Sequence, residues 1–156
     1  MRWHMAGRSC RCANRRSPEM DSQHKTLADS IARQRDALKL LLRDTLGNTA
    51  EACSQVWGDR AALNAVLSRA IDTLPSGKYL YALDTNAIQL TDTISRDGPL
   101  TTDFGRDRST RPYMNERVPS AGFLLSQAYI SLRTKRPSLT AIQLVRDSTG
   151  RVLGVV

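Results

Sequence analysis

Apolar residues recur at threes and fours from Asp21 to about Trp57. Leu27, Ile31, Leu38, Leu41, Leu42 and Leu46 form the stripe, with Gln34 on it, while Lys25, Arg33, Arg35, Lys39 and Arg43 lie largely off it. This spacing predicts one long amphipathic helix. Gly47-Asn48 is a point where that helix can end or bend, after which Ala50, Cys53, Val56 and Trp57 resume an apolar face. Gly58-Asp59 then interrupts the pattern. The Asp59 carboxylate can accept the free amides that open a second helix. Leu63, Val66, Leu67, Ala70 and Ile71 give this helix one apolar face, and Pro75-Ser76-Gly77 ends it.

The period then changes from 3.6 to 2. Tyr79, Tyr81 and Leu83 alternate with Leu80 and Ala82 as a first strand, and a turn at Asp84–Ala87 leads to a second strand around Ile88 and Leu90. Residues 95–108 carry two glycines, a proline and many charges, which predicts a loop. Ser109 or Thr110 can cap a short helix reaching Arg117, with Pro112 in its first turn. Gly122–Ser131, Ser138–Asp147 and Arg151–Val156 read as three further strands, the last two joined by a turn at Asp147–Gly150. Short connections between the last three strands favour an antiparallel meander covered by helices, an α+β arrangement.

A length of 156 residues with 40% hydrophobic and 24% charged positions is that of one globular domain. Net charge is +8. Half of that excess falls in residues 1–20, where five arginines face only Glu19. The remainder is mildly basic, so nucleic acid is not an expected partner. Residues 1–20 read as a disordered basic leader, with Met20 at the start of the patterned segment and residues 1–19 dispensable. They lack the apolar stretch of a secretory signal, and no segment reaches the roughly 18 apolar residues of a membrane span. Taken literally, the sequence predicts a cytoplasmic protein. Three cysteines, two of them in the leader, make no disulfide framework. His4, Cys10, Cys12 and His24 do not have the spacing of a zinc module, and no metal or other cofactor is expected.

The second half is more specific. The segment YLYALD at 79–84, FGRDRSTRPYM at 104–114 and GFLLSQAYISLRTKRPSLTAIQLVRDSTGRVLGVV at 122–156 together resemble the PAS-like Cache, or PDC, sensor domains. The resemblance spans about residues 22–156. It is closest to stand-alone proteins of the PDC sensor type. It implies a long N-terminal helix along a five-stranded antiparallel sheet, with the fifth strand central. A small molecule would sit between the sheet and a cover made by the loop and short helix. By the same resemblance, Arg111 and Tyr113 correspond to the Arg-x-aromatic segment of the cover. Tyr129 corresponds to a strand tyrosine, Thr140 to an inward polar position and Asp107 to the aspartate before the arginine. Pro112 stands where many amino-acid-binding members have an aromatic residue. The family pattern also runs past Gly-Val-Val to a further aspartate, so the domain, residues 21–156, reads as shortened at its C-terminus.

These residue types suit binding. Arg111 offers a planar fork for a carboxylate. Tyr113 and Tyr129 each combine an apolar face with a polar tip, although both can equally be core aromatics, and Tyr81 reads as core. Asp107 can meet a ligand amine, or lock Arg111 in a structural ion pair. No nucleophile lies beside a histidine: both histidines are near the N-terminus, and Cys53 falls on an apolar helical face. Asp84, Asp92, Asp97, Asp103 and Asp107 cluster near loops without calcium-loop spacing. The expectation is a non-enzymatic sensor of a small carboxylate- or amine-bearing ligand, signalling through a separate output protein and self-associating through the first helix. A carboxylate-dependent hydrolase and a ligand-free dimerisation adaptor are the alternatives.

Overall fold

A computed structural model describes the backbone from Pro18 and the side chains from Thr26 to Val156. The expectations for the leader, including its cysteine and histidine set, lie outside these residues. Helix α1 runs from Pro18 to Ser54 and α2 from Arg60 to Thr73. Gly47-Asn48 does not end α1: the helix continues through both residues, since a single glycine inside a long helix costs only about 1 kcal/mol. Asp59 caps α2 as expected, its carboxylate accepting the Ala62 amide at 3.0 Å.

Eight short strands follow: β1 (Leu83–Asp84), β2 (Thr93–Ser95), β3 (Gly98–Leu100), β4 (Phe123–Leu125), β5 (Tyr129–Ile130), β6 (Pro137–Ser138), β7 (Ala141–Arg146) and β8 (Val152–Val155). The main sheet has four antiparallel strands in the order β1-β8-β7-β4, so the last strand is central, as the resemblance implies. β2–β3 and β5–β6 form separate two-stranded ribbons. The expected single five-stranded sheet is therefore broken into pieces, and polar side chains mark the breaks.

In the predicted first strand, Leu80 exchanges amide hydrogen bonds with Ile94, but the Ala82 amide bonds to the Thr91 hydroxyl at 3.0 Å instead of to a carbonyl. Only the end of this segment, β1, therefore joins the sheet. The predicted strand Gly122–Ser131 divides at Ser126. Its hydroxyl accepts the Thr140 amide at 2.9 Å, and the register gains one residue between the Leu125–Ala141 and Tyr129–Ser138 pairs. That is a bulge, and it splits the partner strand into β6 and β7 at the same place. The expected loop 95–108 is also more ordered than its composition suggests. β2 and β3 close a hairpin whose turn ends on Gly98 at φ +117°, and Arg106 to Arg108 run alongside 87–89. The short helix is a 3-10 turn, Pro112–Asn115, with Arg111 at its N-cap and no side-chain cap, so neither Ser109 nor Thr110 plays that part.

Contacts within the chain divide it at Asp36/Ala37. In the first unit α1 exposes Leu27 and Ile31. In the second, Leu42, Leu46, Ala50 and Cys53 of α1 and Leu63, Leu67 and Ile71 of α2 share one core with Ala82, Leu125, Val145 and Val156. The i, i+4 spacing of both helices puts these side chains on one stripe. Each buried leucine contributes about 1.5–3 kcal/mol relative to exposure. Gly154 is required where this core meets the sheet: a Cβ there would run into the Leu83 carbonyl oxygen and lie 2.7 Å from the Trp57 ring. Asp92 ties α2 to the segment before β2, accepting Arg60 at 2.6 Å and Asn64 at 2.7 Å.

Candidate ligand-binding site

A cavity of about 930 Å³ lies within the second unit. Its walls come from the sheet, the 102–114 cover and the β5–β6 ribbon. That volume is at the upper end of the range for small-molecule sites, roughly 300–1,000 Å³.

Four of the five residues expected from sequence line it: Arg111, Tyr113, Tyr129 and Thr140. The 3-10 turn carries Tyr113 inward until it is only 4% exposed. Its ring packs on Tyr129 with centroids 5.8 Å apart and planes tilted by 49°, a favourable aromatic arrangement. The Tyr129 hydroxyl meets the Thr140 hydroxyl at 2.7 Å. Arg111, partly exposed on the wall, makes no side-chain hydrogen bond or ion pair among the described residues. Its guanidinium is available.

Asp107 is placed elsewhere. It is exposed, outside the cavity wall, and its carboxylate accepts the Ser109 amide at 2.8 Å. Hydrogen bonds from Ser109 hold its pKa below the usual carboxylate range. The expected pairing with Arg111 is not made, because Asp107 lies on the short extended segment beside 87–89 and not on one helical turn with Arg111.

Several wall residues were not foreseen. Tyr81, read as core, lines the cavity and shares a 2.8 Å hydrogen bond with the Tyr113 hydroxyl. Burial raises the pKa of both phenols, so they stay protonated. Behind them runs a buried polar chain. Arg108 donates twice to Gln89 Oε1, at 2.9 and 2.6 Å, and its guanidinium lies 5.1 Å from the centre of the Tyr81 ring. Gln89 Nε2 donates to the Thr91 carbonyl and to the Thr93 hydroxyl, which in turn donates to Asp103 at 2.7 Å. Asp103, 2% exposed, also accepts Arg106 at 3.0 Å and Arg133, and lies 3.3 Å from Arg108. Burial alone would raise its pKa. The hydrogen bonds of Thr93 and Arg106 and the charges of Arg133 and Arg108 outweigh burial and pull it below the usual range. Sequence offers one faint signal for this chain. Arg106 and Arg108 are two residues apart, the spacing that puts both side chains on one face of an extended segment, and both line the cavity.

Of the loop aspartates that composition groups together, Asp84, Asp92, Asp103 and Asp107 are engaged by the protein itself. Asp84 closes the turn by accepting the Asn86 and Ile88 amides, Asp92 holds α2, and Asp103 gathers arginines. Among the described residues no group of histidine, cysteine, aspartate and glutamate side chains is placed to hold a metal ion. Nor is any helix among them long and apolar enough to cross a membrane.

No protein-family profile and no curated protein matches the chain. Solved structures do match. An extracellular ligand-binding receptor from Desulfohalobium retbaense superposes with a TM-score of 0.65 at 17% identity, over 85% of this chain and 24% of that one. The sensory domain of a Campylobacter jejuni chemoreceptor with isoleucine bound gives 0.62 at 15% identity, over 84% of this chain and 53% of that one. The ligand-binding domain of a Pseudomonas fluorescens chemoreceptor in complex with L-serine gives 0.54 at 20% identity, over 88% and 55%. This chain thus spans from about a quarter to just over half the length of these proteins. At such identities the likeness is one of fold: the protein shares the α+β fold of these ligand-binding and sensory domains.

Proposed function

We propose that the protein is a non-enzymatic sensory module that binds a small polar ligand in the cavity of the second unit and reports its presence to a separate signalling partner. The observation that carries this reading is Arg111, a cation with no side-chain hydrogen bond or ion pair among the described residues, on a cavity wall that also holds Tyr81, Tyr113, Tyr129 and Thr140. Arg111 is the anion anchor, and the paired hydroxyls Tyr81–Tyr113 and Tyr129–Thr140 supply donors and acceptors around it. The amino-acid-bound chemoreceptor domains of the same fold support a ligand of this size.

The settings of Cys53 and of the Ser126 hydroxyl also favour binding over turnover. Cys53 is fully buried and its thiol pKa is pushed up to about 11, so it carries no thiolate at neutral pH. The Ser126 hydroxyl is spent on the strand bulge, donating to the Gln127 carbonyl and accepting the Thr140 amide.

A thermal-shift screen of carboxylates, amino acids, amines and purines tests the reading. A ligand at a hundred times its dissociation constant adds about 2.7 kcal/mol of stability. Arg111→Ala should abolish the carboxylate shifts and leave the melting temperature of the unliganded protein within error. A screen with no hits, or hits that Arg111→Ala leaves unchanged, overturns it.

A further inference from the structure

The charge of the cavity wall narrows the ligand class. Six basic side chains line it: Lys78, Arg106, Arg108, Arg111, Arg133 and Arg136. Asp103 is the one acidic side chain on that wall among the described residues. It is also outnumbered. One of its oxygens accepts Arg106, the other accepts Thr93 and Arg133, and Arg108 stands 3.3 Å away. Three of the roughly four acceptor positions of the carboxylate are taken, and its single negative charge faces three guanidiniums. Any ammonium entering the cavity would meet guanidiniums and find no free carboxylate, and like charges placed together in a poorly solvated site repel strongly. The positive excess has two centres. Arg111 carries one, next to the Tyr81–Tyr113 hydroxyl pair. The other is the set of arginines around Asp103, where three cations share one anion.

We propose that the cavity takes a small organic dianion without an ammonium group, a dicarboxylate in class, with one anionic end at Arg111 and the other at the arginines gathered on Asp103. This rests on the sensory reading above and names the ligand chemistry of the same site. Arg133 is the natural contact at the second end. It reaches Asp103 from the turn of the β5–β6 ribbon and is 38% exposed, so its guanidinium has donors left over for a ligand. Arg108 is less suited to direct contact, since Gln89 already occupies two of its donors. Its role is to hold the positive potential in place.

Isothermal titration calorimetry at constant ionic strength tests this, with succinate, butyrate, 4-aminobutyrate and L-isoleucine as four compounds of similar size and inorganic phosphate as a fifth. Succinate should bind at least about tenfold more tightly than butyrate, and the two amine-bearing compounds should be weaker than succinate by about a hundredfold or more. Arg111→Gln should weaken both succinate and butyrate. Arg133→Gln should weaken succinate alone and bring it close to butyrate, a loss of selectivity that a mere change in fold stability would not produce. Binding of L-isoleucine or 4-aminobutyrate without succinate overturns the dianion proposal and leaves the sensory reading standing. Equal binding of succinate and inorganic phosphate also overturns it, because charge alone would then suffice. A carboxylate-blind protein that also fails the wider screen overturns both.

Discussion

Replacing Asp103 by asparagine isolates the electrostatic centre of the molecule. The substitution keeps shape and one acceptor but removes the charge that holds three arginines. Arg106 and Arg133 are 52% and 38% exposed, so solvent screens them and their share is small. Arg108 is different: its side chain is 7% exposed, that of Asp103 is 3% exposed, and the two are 3.3 Å apart. Stripping one partner from such a buried pair costs about 3–5 kcal/mol in general. Here Gln89 still satisfies two Arg108 donors, and the asparagine oxygen still accepts the Thr93 hydroxyl, so about 2–3 kcal/mol is expected. For a chain of this length that is a fall in melting temperature of about 4–12 °C. Urea unfolding followed by circular dichroism at neutral pH measures it. The effect also has a definite pH dependence. The folded pKa of Asp103 is held below its unfolded value of about 3.9, so near pH 4 the unfolded chain binds the proton first. The stabilisation is complete above that pH and is lost as pH falls through the folded pKa. The gap between wild type and Asp103→Asn should therefore narrow in acid. A difference below about 0.5 kcal/mol at neutral pH, or a gap that stays constant from pH 7 to pH 3, would refute the account of this cluster.

Gly154→Ala should destabilise by at least about 2 kcal/mol, because its Cβ meets the Leu83 carbonyl and the Trp57 ring, and neither the strand pairing nor the core can yield cheaply; urea unfolding within error of wild type would contradict it. Self-association through α1 is testable at Leu27 and Ile31, which are 60% and 55% exposed, and not at Leu42 or Leu46, which belong to the core. If the expected dimer forms there, Leu27→Lys combined with Ile31→Lys should convert it to monomer in sedimentation velocity while leaving the circular dichroism spectrum unchanged, and a wild type that is monomeric at high concentration ends the idea.

The two helices were legible because their signals are local. An i, i+4 row of leucines, an aspartate at an N-cap and a Pro-Ser-Gly stop each act within one or two turns of backbone, and the structure uses all three. The central place of the last strand, and the meeting of four of the five candidate residues on one cavity wall, followed resemblance to a family pattern and not periodicity. Asp107 failed for a physical reason. The sequence sets it four residues before Arg111, which suits a helix, but the backbone there is extended alongside 87–89, and the two side chains part.

The sequence determined which segments could form helices, where the chain must turn and that an antiparallel sheet would close the domain, because these depend on neighbours a few residues away. Tertiary structure alone decided how the strands are interrupted and which charges meet. Thr91 and Ser126 replace carbonyls in the ladder only because a particular partner amide arrives opposite them. Asp103 becomes the hub for Thr93, Arg106, Arg108 and Arg133 only because segments up to 30 residues apart converge on it. A one-dimensional pattern records the chemical type of each residue but not its distance from the others. The energy of a buried charge depends on that distance and on the exclusion of water, and both are properties of the folded chain.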